Sequence, residues 1–583
     1  MYFNNEISEL DYDFVIVGAG TAGTVLAARL SENPSWRILL IEAGNVNFAG
    51  NRHPAIATRY QGGRMDWHYA TEPQQHCCQG LKDQKVYWPA GEGTSEINYM
   101  VYTRGNKGDY DRWAANGNPG WSYEEVLPYF LKSEKYEFSK FNRKYHNAEG
   151  VMSIEYPYTT LVTDAFLDGA NEMGNCFIDN ESIFPCIPSM VFHRPIVVGF
   201  DIHDYNGKTQ MRFSKVKAHM HRGQRHGVYQ AFLGPVYNDR NNLTIVSSAQ
   251  VTKILIDPVT KRAAGVVYIK NKRPKMAWSK NAVILSAGVV GSTKILLLSG
   301  IGPKEDLEKM DIPVIESLMV GQGIRDHISY FGLNYLTSLS NEIGNPIGIF
   351  RCGKGISSSP AGIEAVGFVK LNDTNRESDV PDVEILLVNR LINRDLKILT
   401  NVEDDTYHKC FEMVEEHVGA NIFPILLHPK SKGYIKLRSK NFTEPPIIQP
   451  NYLSEREDKE RLVAGIRFVE NLMKTEPFAK ADAALYPVPV CDQHPIYSEE
   501  YWQCAIETLT MSFNDYMGGC KMGGRHDEEA VVDNELQVYG VEKLMVVDAS
   551  VIPVTISGHT GAATIMIAEK AADIIKRKYG DRS

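Results

Sequence analysis

The chain of 583 residues holds only nine cysteines. That is too sparse for a disulfide scaffold, and an odd number leaves at least one thiol without a partner in the chain. Cys77 and Cys78 are adjacent, a spacing unlike any zinc motif, so the cysteines read as buried or idle thiols and no metal site is expected. Basic charge is also short. Lys+Arg number 62 against 71 Asp+Glu, a net charge of −9, whereas a nucleic-acid binder shows a basic face. No apolar run approaches the roughly 18 residues of a membrane-spanning helix. Internal repeats and low-complexity linkers are missing, and the 43% hydrophobic, 23% charged composition excludes global disorder, collagen and coiled coil. Residues 1–12 are polar and acidic rather than signal-like. Sequons at Asn180, Asn242, Asn372 and Asn441 lean weakly towards secretion, with a leader outside this numbering; a cytoplasmic protein is the alternative.

What is present is a nucleotide-binding pattern. Phe14 to Val17 is a short continuous apolar run, the mark of a buried parallel strand. Gly18, Gly20 and Gly23 follow as G-x-G-x-x-G. The first permits a tight turn, the second lets backbone approach a pyrophosphate, and the third lets the next helix pack on the sheet. The helix is expected from about Gly20 to Ser31, with Thr21 and Ala22 at its start. A second buried strand at 37–41 ends on Glu42 and Ala43. Glu42 lies 19 residues after Gly23, where an acidic side chain meets a ribose hydroxyl. The fingerprint alone does not separate FAD from NAD.

Further on, 243–246, 251–256 and 265–269 read as antiparallel strands. Ala282 to Leu285, followed by Gly288 and Gly291, reads as a strand entering a helix that ends near Gly300. Arg351 to Ala361 reads as a loop, Glu455 to Met473 as an amphipathic helix, Met545 to Val547 as a late strand, and Thr564 to Ile575 as a final helix. Both ends of the chain are thus of strand–helix type. The expected architecture is α/β: a Rossmann-like FAD-binding domain from 1–155, 230–325 and 520–583, with an inserted antiparallel-sheet substrate domain from 156–229 and 326–519.

These segments resemble the glucose–methanol–choline (GMC) oxidoreductases, and within them the insect branch, over nearly the whole chain. The resemblance is carried by Gly18 to Gly23, Asn98-Tyr-Met-Val-Tyr-Thr-Arg104-Gly105-Asn106, Asp109-Tyr-Asp111-Arg-Trp113 and Asn118-Pro-Gly-Trp-Ser122. It continues in Gly291 to Pro303, Cys520-Lys-Met-Gly523, Asp548-Ala-Ser550 and Ala568 to Asp573. It implies bound FAD, a six-stranded substrate sheet and oxidation of an alcohol. By resemblance, Gly18, Gly20, Gly23 and Glu42 hold the adenosine half, Val251 meets the adenine, and Asn98 lines the flavin with Gly93, Thr94 and Met100. Asp548 and Ala549 meet the pyrophosphate region, with Ala287 and Thr560 also on the cofactor.

Three positions depart from the family pattern. Asp515 stands where the family carries its catalytic histidine, and Gly561 where it carries a second His or Asn, with His559 two residues earlier. The flavin loop Trp88 to Glu96 is three residues short, lacks two basic residues and gains Glu92 and Glu96. A positioned general base is worth about 10²–10⁴-fold, and an ordinary aspartate is a weak one at neutral pH. The departures favour a redox-neutral hydroxynitrile (cyanohydrin) lyase, a chemistry the family includes among plants. Asp515 or His559 would be the base, and Lys521 or Arg104 would supply positive potential. The alternative is an FAD-dependent alcohol oxidase or dehydrogenase, and the third reading a non-catalytic carrier. The partner is a small hydroxyl or cyanohydrin substrate, with no nucleic acid and no membrane span. The oligomeric state is left open, a homodimer among the options.

Overall fold

The computed structural model describes residues 11–45, 52–91, 93–177, 204–339, 355–371, 379–415 and 417–580. Glu92, Asn180, Asn372 and the start of the loop expected at 351–361 lie outside them. Tyr12–Val17 forms a strand whose inner residues are buried on both faces, as a strand covered from both sides requires. It pairs in parallel with Ile38–Ile41 on one side and with 282–285 on the other. Leu544–Val546 extends the sheet beyond 283–285, also in parallel. Leu243–Val246 pairs in parallel with 38–41, which corrects its expected place in an antiparallel set. The antiparallel meander is instead Ala249–Asp257, Arg262–Lys270 and Arg273–Leu285. The last of these strands serves two purposes, its outer half closing the meander and its inner half lying in the parallel sheet.

Helix Thr21–Leu30 follows the first strand, and Gly23 fixes how closely. A Cβ there would stand 1.8 Å from the Gly18 carbonyl oxygen. Gly18 itself has φ +98° and no room for a side chain beside Ser286. Helix Thr560–Tyr579 packs beside Thr21–Leu30, and both bury apolar faces into one core with the parallel sheet.

A second core belongs to another sheet. Among the described residues this sheet has eight strands rather than the expected six. Its centre is Ile363–Val369, Val383–Val388 and Gly419–Leu426, antiparallel to one another. The last two are buried throughout. Helix Arg456–Leu472 covers the far face with Leu462, Val463, Ile466 and Val469. Gly465 of that helix packs on Val383. Side chains alternate across a strand, so Glu384 and Leu386 point the other way, towards the cofactor half of the molecule.

Cys77 pairs with Cys78 and Cys491 with Cys504, correcting the expectation of idle thiols. Cys410 and Cys520 are buried free thiols. No helix among the described residues is long and apolar enough to cross a membrane.

Candidate active site

A long cleft runs between the two sheets, with about 2000 Å³ of space including its open mouth. Gly18, Gly20, Thr21, Ala22, Glu42, Ala43 and Val251 line one end. Gly93, Thr94, Asn98, Met100, Ala287, Asp548, Ala549 and Thr560 line its course, with Asp515 and His559 among them. Gly23 stands behind the wall, in its packing role. Two helices start at the cleft. Thr21–Leu30 has Gly20 as its N-cap and no side-chain capping bond, and unclaimed N–H groups at a helix start favour an anion. Thr560–Tyr579 begins after His559, with its Thr560 N–H already given to Asp515. A Cβ on Gly561 would meet nothing within 4 Å, so the second terminus faces open space. The backbone cradle at Gly18–Ala22, the acidic Glu42 and the length of the cleft fit an FAD. The Glu42 carboxylate accepts from the Ala19 N–H at 2.6 Å and the Gly44 N–H at 2.8 Å, bracing the turn. Asp548 braces the middle, accepting from the Ser292 hydroxyl at 2.6 Å and the Gly288 N–H at 3.0 Å.

The flavin loop is less acidic towards the cleft than its sequence implies. Glu96 is buried and turned away, beside Gly227 and the Gln230 amide. The positive charge of Arg225 acts on it. Arg225, also buried, donates to the Ser95 carbonyl at 2.9 Å and the Asn98 carbonyl at 2.6 Å. A basic side chain from another strand thus holds the shortened loop.

Arg104 and Lys521 are corrected as sources of potential in the cleft. Arg104 is buried in the first core, paired with Glu134 at 2.7 Å and donating to the Tyr102 hydroxyl at 2.8 Å. Lys521 is spent on Asp527 at 2.8 Å and Glu529 at 3.0 Å. Neither lines the cleft.

Asp515 and His559 do meet. His559 Nδ1 lies 2.7 Å from Asp515, and the Thr560 N–H donates to the same carboxylate at 2.9 Å. His327 Nδ1 approaches it at 3.3 Å. Burial pushes the Asp515 carboxyl up, but the His559 charge and the two imidazole contacts outweigh it and hold the group well below the usual carboxylate range. For His559, burial opposes the charge, yet Glu384 and Asp515 raise its pKa well above the usual value. The two carboxylates therefore favour the charged form of the ring. Its Nε2 lies 3.2 Å from Glu384, too obliquely for a hydrogen bond. Neither Glu384 oxygen has any hydrogen-bond partner, although the residue is fully buried. Beneath Asp515, its N–H donates to Asp326 at 3.0 Å. Burial pushes the Asp326 carboxyl up to about 7.

Sequence reasoning missed Glu384, His327, Asp326 and Arg225. Glu384 carried a usable signal, since it is the lone charge in the apolar run Val383 to Val388. The other three lie far along the chain from the motifs they support.

A dinucleotide-binding parallel sheet, a substrate sheet and a polar row between them define a flavoprotein-type oxidoreductase architecture. The chain belongs to the GMC oxidoreductase family, whose models match residues 12–182, 197–329 and 429–568. It is 36% identical to the glucose dehydrogenase [FAD, quinone] of Drosophila pseudoobscura pseudoobscura, over 98% of this chain and 88% of that protein. It is 32% identical to the mitochondrial choline dehydrogenase of Mus musculus, over 97% and 89%. Among solved structures it resembles formate oxidase of Aspergillus oryzae, with TM-score 0.80, 23% identity and coverage of 98% and 99%. It likewise resembles a pyridoxine 4-oxidase from Mesorbium loti, with TM-score 0.77, 23% identity and coverage of 98% and 100%.

Proposed function

We propose that the protein is an FAD-dependent alcohol oxidoreductase in which the row Asp515–His559–Glu384 handles the hydroxyl proton. The observation that carries this reading is His559 on the cleft wall, held between Asp515 and the unspent Glu384 carboxylate, which lies fully buried 3.2 Å behind it. A hydroxyl needs both an acceptor for its proton and a donor for its oxygen. His559 meets the hydroxyl from the wall and the buried Glu384 behind it is the acceptor: the ring passes its Nε2 proton to Glu384 as it takes up the hydroxyl's, so the alkoxide forms beside a fixed cation. Asp515 accepts from His559 Nδ1 and holds the ring in place. Bound FAD would take the hydride, leaving a carbonyl product. The dehydrogenases named above support oxidation over the lyase that the changed positions 515 and 561 favour by themselves.

The cyanohydrin lyase stays as a second reading on one observation: an imidazolium on the wall would also attract a leaving cyanide. Anaerobic mixing with alcohols separates the two. Bleaching of the flavin absorbance is expected. Cyanide release from a ketone cyanohydrin, with no alcohol bleaching the flavin, would overturn oxidation in favour of the lyase. Glu384→Gln should lower the bleaching rate by about 10²–10⁴-fold; an unchanged rate would remove Glu384 from the chemistry.

A further inference from the structure

Around the polar row the wall of the cleft is apolar. Trp67, Tyr69, Ile363, Leu386, Phe513 and Tyr516 all line it. They are neighbours of the row by several independent connections. Leu386 shares a strand face with Glu384, the Phe513 ring lies 6.3 Å from His559, and Tyr516 follows Asp515. Tyr516 stacks on Trp88 at 4.1 Å, whose strand pairs with that of Tyr69, and Trp67 stacks on Tyr69.

The polar atoms on the same wall are largely committed to the protein. The Tyr516 hydroxyl donates to the Pro89 carbonyl at 2.6 Å. The Tyr99 hydroxyl donates to Gln61 Oε1 at 3.2 Å, and the Gln61 amide donates to the Ile97 carbonyl at 2.9 Å. Asn98 Oδ1 accepts from the Met100 N–H at 3.0 Å and from Arg225 at 2.9 Å. The Thr560 hydroxyl donates to Asp515 at 3.2 Å. Four side chains of the wall keep a buried polar atom without a protein partner among the described residues. Ser95 and Ser286 belong to the flavin loop and the edge of the Gly18 turn, and two are imidazoles. One is His559, with Glu384 buried behind it. The other is His219, on the wall with Nε2 unpartnered and its pKa held down to about 3 by burial, so that it is neutral.

We infer, resting on the alcohol-oxidoreductase reading, that the substrate is an apolar alcohol with a single reacting hydroxyl on an aromatic or branched hydrocarbon frame, and not a sugar or a quaternary ammonium alcohol. A polyol would bury several hydroxyls against groups already bonded elsewhere, and each stranded hydroxyl costs about as much as a lost hydrogen bond. An apolar frame instead gains from covering Ile363, Leu386 and Phe513. Sites with this polar economy separate substrates by what they leave unpaired.

The test uses the flavin-loaded protein. Benzyl alcohol, geraniol, D-glucose and choline chloride are titrated by calorimetry, and each is mixed anaerobically with the enzyme to follow flavin bleaching. At least one apolar alcohol should bind about tenfold or more tightly than glucose and choline. Leu386→Asn should weaken it by about tenfold, with Ile363→Thr as the second variant if the first loses flavin. Glucose or choline binding as tightly as both apolar alcohols, or no apolar binding at all, would overturn the inference. Apolar alcohols that bind tightly without bleaching keep the substrate class and sink the oxidation reading. Bleaching by glucose but by neither apolar alcohol keeps oxidation and sinks the substrate class.

Discussion

His559 sits between two carboxylates, and its charge state follows from that placement. Its folded pKa is raised, so its contribution to stability is complete below the ordinary value of 6.5 and fades only as pH climbs through the raised value. Asp515 works in the opposite sense. Its contribution is present above the ordinary value of 3.8 and is lost as pH falls through its lowered value. Both contributions therefore coexist across pH 5–6. Asp515→Asn should destabilise the protein by about 3 kcal/mol, as breaking a buried pair does, and the deficit should be flat across that window in thermal scans. A deficit that vanished on acidification within it would mean that the two groups are not paired. The motif residues at 515 and 559 were legible because they stand at fixed offsets from Cys520 and Ala568. Their electrostatic setting was not, since it depends on Glu384 in the strand Val383–Val388 and on His327 just before the strand Ile328–Tyr330.

At the scale of elements, the Gly18–Gly23 turn was legible down to individual residues because its sterics are local. Gly23→Ala should abolish stable flavin retention, read as the flavin-to-protein absorbance ratio after gel filtration. The 243–246 strand was read correctly as extended but with the wrong neighbour. Leu243, Ile245 and Val246 with Thr244 between them are too short a run to fix either direction or sheet. What ties this strand down is Asn242, whose amide donates to the carbonyls of Ser31 at 3.1 Å, Asn33 at 2.9 Å and Trp36 at 3.0 Å. The same amide is the acceptor atom of a predicted sequon, and it is already committed. Asn242→Ala should cost about 1–3 kcal/mol, measurable by denaturant unfolding, with no change in glycan mass in any host. Arg225 is another joint between distant elements, through its bonds to the Ser95 and Asn98 carbonyls, and its charge acts on the buried Glu96. Arg225→Met strands those carbonyls and should cost about 1–3 kcal/mol. The double variant Arg225→Met with Glu96→Gln should recover part of that loss.

At the scale of the molecule, two interleaved sheets around one cleft were legible because nucleotide-binding signals occur at both ends of the chain. The extra breadth of the substrate sheet was not, because strands such as Asn334–Leu336 and Ala484–Tyr486 are three residues long and carry no periodicity. The Cys491–Cys504 bond closes a loop across a separation of 13 residues, which corresponds to about 3 kcal/mol of restricted unfolded-state freedom. Thiol reductant should lower the unfolding midpoint of the wild type and leave Cys491→Ser with Cys504→Ser unaffected. An equal shift in both would assign the effect to another cysteine pair.

The strand 273–285, shared by meander and parallel sheet, also sets a timetable. It accepts Tyr12–Val17 on one side and Leu544–Val546 on the other. A growing chain therefore exposes the Gly18 turn early, has only 38–41 to pair with at first, finds its second partner strand midway through synthesis, and receives Asp548 and His559 near the end. Such distant pairings fold slowly. The cleft closes only after translation of the last sheet strand and helix, so flavin capture is a late event, and a shortage of the vitamin acts on finished chains waiting to close.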